Sequence, residues 1–128
     1  MDDDSAQEIP LLTFNSLYNL LRDEKKVKKL QELPDLFYEA VQEFMKNKKD
    51  EIERVKSDAE KLKKEKHILN KSQEIITELI NLRGMKVANI AIKDELYGEA
   101  TLSSDNVLTK EEEFFMVVKK ATKKLKRL

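Results

Sequence analysis

The chain has 128 residues, no cysteine, 40% hydrophobic and 39% charged residues, and 25 acidic against 25 basic side chains. That is long enough for one domain with a real core. It excludes disulfide and thiol chemistry and gives no net field toward nucleic acid or acidic partners. No apolar run approaches the roughly 20 residues of a membrane-spanning helix, and the acidic N-terminus lacks a signal peptide's apolar core. A soluble intracellular protein with no membrane partner is the expectation.

Charge is unevenly placed along the chain. Residues 1–8 carry Asp2, Asp3, Asp4 and Glu8 with no base. Residues 119–128 carry Lys119, Lys120, Lys123, Lys124, Lys126 and Arg127 with no acid. Residues 1–12 read as an acidic arm, with Ile9, Leu11 and Leu12 packing onto the domain. Thr13 is a good N-cap, and Phe14, Leu17 and Leu21 follow at helical spacing. The first helix is predicted from Phe14 into residues 25–29, with Leu30 and Leu33 in a short turn.

Leu33-Pro34-Asp35-Leu36-Phe37-Tyr38 opens a stretch, residues 35–83, without glycine or proline. Proline is tolerated in a first helical turn, where its missing N–H would be unpaired anyway. A second helix is therefore predicted from Pro34, with Phe37 and Tyr38 near its start. Val41, Met45, Lys48, Ile52, Val55, Ala59, Leu62, Lys66 and Leu69 then alternate in steps of four and three, a coiled-coil-like seam interrupted by two lysines. Asp50 with Arg54 and Glu60 with Lys64 stand at ion-pair spacing. One straight helix through Arg83 would be roughly 70 Å long, so a break is predicted. Asn70 with Gln73 is preferred over Ser57 with Glu60 as its capping box.

Beyond that break Ile75, Ile76, Leu79, Ile80, Leu82, Met85, Val87, Ile90, Ala91 and Ile92 cover most of the helix circumference. Such a helix is buried on several sides, either at the centre of a bundle or shared with a partner. Gly84 inside it marks a kink or a close helix crossing. Tyr97-Gly98 ends the element, and residues 99–108, with Ser103, Ser104, Asp105 and Asn106, form a loop. Thr109 caps the last helix and Glu112 completes its box. Phe114, Phe115, Val117, Val118, Ala121 and Leu125 supply its apolar face. The fold class is all-α: a helical bundle of four to five helices with a long antiparallel central helix pair.

Catalytic vocabulary is nearly absent. His67 is the single histidine and has no evident partners. Asp2-Asp3-Asp4 reads as a solvated tail, and the two glycines, Gly84 and Gly98, make no phosphate loop. No catalytic, cofactor-binding or metal site is predicted, and the chain is not expected to be an enzyme. Arg83 and Lys86, three apart, have two readings: an exposed stripe with snorkelling stems, or an arginine that orders a carboxylate or a helix end.

Four segments in order carry a resemblance. They are Leu17 through Asp23-Glu24, Leu33-Pro34-Asp35-Leu36-Phe37-Tyr38, Leu79-Ile80-Asn81-Leu82-Arg83-Gly84-Met85-Lys86-Val87, and Leu108-Thr109-Lys110-Glu111-Glu112. The chain resembles the helical A-domain of a GINS subunit, a component of the replicative helicase assembly of archaea and eukaryotes, of the class in which that domain comes first. The resemblance implies a helical domain over residues 13–118, followed by a basic helix end, residues 119–128, leading toward a β-rich B-domain. This chain stops before such a domain, as a shortened or naturally short member.

What the resemblance implies is a DNA-replication scaffold: a tetramer with a paralogous subunit that bridges the MCM helicase and a RecJ-like partner. It also implies a cytoplasmic, nucleoid-associated place in a prokaryote or a nuclear one in a eukaryote. The Lys and Glu bias suits a heat-adapted source. The expected subunit interface comprises Phe37, Tyr38, Ile76, Ile80, Arg83, Val87, Ile90, Phe114 and Phe115. The alternative is a nucleic-acid-binding module whose DNA contacts are Lys119, Lys120, Lys123, Lys124, Lys126 and Arg127; no interleaved aromatics serve base stacking. A third reading is a coiled-coil adaptor that dimerises through the 41–69 seam.

Overall fold

The computed structural model describes residues 8–98 and 106–127. Four helices build it: α1 (Phe14–Lys26), α2 (Phe37–Arg54), α3 (Ala59–Tyr97) and α4 (Thr109–Leu125). No strand occurs among the described residues, and the all-α helical bundle expected from the sequence is the architecture observed. The acidic stretch with Asp2, Asp3 and Asp4 lies outside the described residues, as do Ser103, Ser104 and Asp105. The chain divides into two compact units, Met1–Asn19 with Pro34–Ile76, and Leu20–Leu33 with Thr77–Leu128.

In the first unit, α1 opens on a reciprocal cap. The Ser16 N–H donates to Thr13 Oγ1 at 3.0 Å, and the Thr13 N–H donates to Ser16 Oγ at 2.8 Å. The Thr13 cap thus falls where the sequence put it, with serine in the role glutamate usually takes. Of the arm's aliphatic residues only Leu12 is buried; Ile9 and Leu11 are exposed, Leu11 by 84%. The expected packing of all three is corrected accordingly.

α2 does not start at Pro34. Leu36 adopts the left-handed conformation, φ 61° and ψ 28°, which interrupts any helix between Pro34 and Phe37. That conformation costs a residue with a Cβ roughly 1–2 kcal/mol. The turn delivers Phe37 to the interior, and Phe37 and Tyr38 meet edge to face at 5.5 Å. Phe37, Ala40, Val41 and Phe44 then form the buried stripe of α2, the spacing of one helix face.

The break lies at residues 55–58, not at Asn70. α2 ends at Arg54, and the Asp58 carboxylate accepts the Lys61 N–H at 3.2 Å as the cap of α3. α3 continues for 39 residues straight through Asn70. The seam therefore folds back on itself as an antiparallel pair, which removes the adaptor reading's free stripe. Lys48 reaches Glu65 across this pair at 3.7 Å and Glu51 at 3.5 Å, and lies 5.8 Å from the Phe44 ring centre. Its place in an apolar seam is explained by that neutralisation. The i,i+4 pairs Asp50–Arg54 and Glu60–Lys64 do not form among the described residues; surface pairs such as Lys56–Glu53 and Lys71–Glu74 are three apart.

The second unit is held by a cluster of Leu30, Val87, Ala91 and Phe115, with Ile90, Val107 and Val118 packed against it. α3 ends at Gly98, whose φ of 67° and N–H to the Asp94 carbonyl at 2.9 Å make a left-handed C-cap. Contacts between α3 and α4 rise together along both helices: Arg83 with Glu111, Asp94 with Lys119, Glu95 with Lys126. The two helices therefore run in the same direction. α4 is capped one residue earlier than expected. The Leu108 N–H donates to Glu111 Oε1 at 3.1 Å, so Glu111 and not Glu112 reaches back to the cap, and Leu108, with no side-chain acceptor, supplies no reciprocal bond.

Candidate functional site

Helical periodicity carries three charges inward in the second unit. On α1, Leu21 and Glu24 continue the buried stripe, so a carboxylate lands on the apolar face. On α3, Leu79, Arg83 and Val87 follow at steps of four, and all three are buried. On α4, Glu111 stands four residues before buried Phe115. Arg83, Glu24 and Glu111 are 1%, 1% and 5% exposed.

They meet in one node. Arg83 Nε donates to Glu111 Oε2 at 2.9 Å and Nη2 to Glu111 Oε1 at 2.7 Å, a two-pronged grip. Nη1 donates to Glu24 Oε1 at 3.1 Å and also to the Gln31 carbonyl. Nη2 donates to the Asn106 carbonyl at 2.8 Å. A guanidinium has five N–H donors, and these bonds use every one.

Lys86, one helical turn on, completes the charge balance. Its three N–H groups are shared among four acceptors, Glu24 Oε2 at 2.6 Å and the carbonyls of Glu24, Val27 and Lys29 at 2.8, 2.9 and 3.0 Å. A cation at carbonyls that leave the end of α1 satisfies acceptors the helix itself cannot. Around the rim, the Gln31 N–H donates to Glu24 Oε2 and the Asn106 side-chain amide to the Leu30 carbonyl, at 3.2 and 2.9 Å. Burial pulls the Arg83 guanidinium down; the hydrogen bonds and charge of Glu111, then of Glu24, outweigh that and hold it above its usual range.

The arrangement decides between the two readings of Arg83. It orders carboxylates and chain ends, and it is not part of an exposed stripe. With every donor filled it has none left for a ligand, so the node is a clamp that fixes residues 24–31 and 106–111 against α3. Glu24, Gln31, Asn106 and Glu111 were not anticipated as its partners. For Glu24 and Glu111 a signal existed, since each falls on an apolar stripe where a solvated carboxylate has no place.

Burial also corrects the expected interface. Phe37, Ile76, Arg83, Val87 and Phe115 are buried within the chain itself and cannot present a surface to a partner. Tyr38 and Ile90 are half-buried, and Ile80 and Phe114 are exposed, by 40% and 43%. The wide apolar arc of α3 thus splits into a buried row and exposed residues, Ile80, Met85, Ile92 and Leu96.

The basic end of α4 divides similarly. Lys119 pairs with Asp94 at 2.8 Å and Lys126 with Glu95 at 3.3 Å; hydrogen bonding to Asp94, then its charge, holds the Lys119 ammonium above its usual value. Lys120, Lys123, Lys124 and Arg127 are exposed. His67 is exposed on α3. Among the described residues no group of three or more His, Cys, Asp or Glu is placed to hold a metal ion, and no helix is long and apolar enough to cross a membrane. No protein-family model matches this chain, and neither a curated protein nor a solved structure matches it significantly.

Proposed function

We propose that the chain is a non-enzymatic scaffold of DNA replication, the helical domain of a GINS-type subunit. It pairs with a paralogous subunit in a tetramer that bridges an MCM helicase and a RecJ-like partner. One observation carries this reading beyond the resemblance itself. Glu24, Arg83, Lys86 and Glu111 come from three of the four segments behind the resemblance, and they meet in one buried clamp. Segments far apart in sequence thus share a single physical task, the rigid setting of a helical frame. Outside that frame lie exposed apolar side chains of α3 and α4, among them Ile80, Met85, Phe114 and Val117. Exposed apolar surface, where it forms a patch, marks protein interaction sites.

The test is absolute mass by light scattering, for the chain alone and mixed with a paralogous GINS subunit. A stable complex of two plus two supports the scaffold. A chain indifferent to that subunit rejects it. The second reading, nucleic-acid binding, draws on the exposed cations Lys120, Lys123, Lys124 and Arg127. It requires DNA binding that weakens steeply with salt and disappears when those four residues are neutralised.

A further inference from the structure

On α4, Phe114, Val117, Ala121 and Leu125 recur at steps of three and four and fall on one stripe. All four are exposed, Val117 by 65% and Leu125 by 67%. Beside the stripe Lys120, Lys124 and Arg127 recur at steps of four and three, with Lys123 next to them, and all four cations are exposed. Glu113 opens the same flank, so the edge is basic from Lys120 onward. The two remaining lysines of the basic end, Lys119 and Lys126, are spent on Asp94 and Glu95 of α3. The opposite flank is closed by buried Phe115 and Thr122. What is left is an apolar stripe about three turns long with a positive edge on one side only.

That asymmetry selects the occupant. A phosphate backbone would engage the cations and leave the aliphatic stripe in water; the one aromatic in it, Phe114, lies at the end away from Lys124 and Arg127. A helix lying in a lipid surface needs both flanks of its apolar stripe free to settle among polar headgroups, whereas here one flank, Phe115 and Thr122, packs into the chain. A helix with its own aliphatic stripe and a row of Asp or Glu along one edge covers both features at once, in the manner of helix-in-groove recognition. We propose that the outer face of α4 docks such an acidic-edged amphipathic helix of a partner protein, its carboxylates paired with Lys120, Lys124 and Arg127. The single charged edge sets the orientation of the incoming helix, because the reversed orientation opposes no opposite charge. This inference rests on α4 alone and does not require the tetramer reading.

The test uses the whole chain and a dye-labelled synthetic helix of about three heptads with leucine along its seam and glutamate on one edge, read by fluorescence anisotropy. The acidic-edged helix is expected to bind, and to bind less tightly as salt rises. Lys120→Glu with Lys124→Glu is expected to weaken it by about tenfold or more, and to bind a lysine-edged version of the helix better than the parent chain does. Val117→Ser with Leu125→Ser is expected to weaken it comparably; these positions are exposed, so the fold is retained. Absence of binding overturns the proposal. Equal binding of a scrambled helix, or indifference to either double substitution, also overturns it. So does tighter binding of duplex DNA that the lysine variant abolishes and the aliphatic variant leaves intact, which assigns the face to nucleic acid.

Discussion

Arg83 grips Glu111 through two parallel hydrogen bonds, at 2.9 and 2.7 Å, across 28 positions of sequence. The pair ties the middle of α3 to the first turn of α4. Because α3 and α4 run in the same direction, this buried tie sets their register together with Asp94–Lys119 and Glu95–Lys126.

Removing one partner of a buried charge set is far more damaging than the set is stabilising, because it strands the other charges. Arg83→Met leaves Glu111 without its grip and the Gln31 and Asn106 carbonyls without a donor. The expected loss is about 3–5 kcal/mol, read as a shift in the denaturation midpoint. Arg83→Lys is expected to recover little, since an ammonium cannot match the fork geometry. A loss under about 1 kcal/mol for Arg83→Met would show that the clamp does not hold the fold.

Lys86→Met should rank below Arg83→Met. Glu24 keeps Arg83, and the carbonyls of Val27 and Lys29 lie where water can replace the ammonium. Bonds to charged groups contribute about 1.5–3 kcal/mol, which sets the expected scale. The distinguishing readout is hydrogen exchange: amides of residues 27–33 should exchange faster in Lys86→Met, while those of α4 stay protected. Uniform acceleration across the chain would contradict a local role for Lys86.

Much of this fold was legible in the sequence, and the parts that were not share a physical cause. Thr13 and the 3.6-residue spacing of Phe14, Leu17 and Leu21 are local signals, and they located α1. Asn70 with Gln73 imitates a cap, but a cap ends a helix only where the chain must turn. There, buried Ser72 and Ile76 extend the inward face of α3, and packing overrides the local signal. Asp58, which does cap α3, was masked by Ser57 next to it. The charge clamp is harder still. The partners of Arg83 lie 59, 52, 28 and 23 positions away, and no periodicity within one helix encodes a meeting between helices. The width of the apolar arc on α3 was likewise visible, but its division into buried Leu79, Val87 and Ala91 and exposed Met85 and Ile92 depends on where α4 lies.

Ser72 is fully buried, and its Oγ has no hydrogen-bond partner among the described residues. An unmade bond on a buried hydroxyl is costly, and alanine is also the better helix former. Ser72→Ala is therefore expected to raise stability by about 1 kcal/mol. Calorimetry settles it: a destabilisation of similar size would mean that the hydroxyl has a partner after all.

The two glycines should respond to alanine with opposite signs. Gly84 sits within α3 at ordinary helical φ, and a Cβ there would meet nothing within 4 Å, so neither the close helix crossing expected at this position nor any steric need retains it. Gly84→Ala is expected to stabilise by up to about 1 kcal/mol, the propensity difference in a helix interior. At Gly98 a Cβ also finds open space, but φ is +67°, so the strain is entirely in the backbone. Gly98→Ala is expected to destabilise by about 1 kcal/mol, with fraying of the last turn of α3. Thermal melts of the two variants, side by side, separate propensity from conformation: if both move the same way, the left-handed cap at Gly98 is not what ends α3.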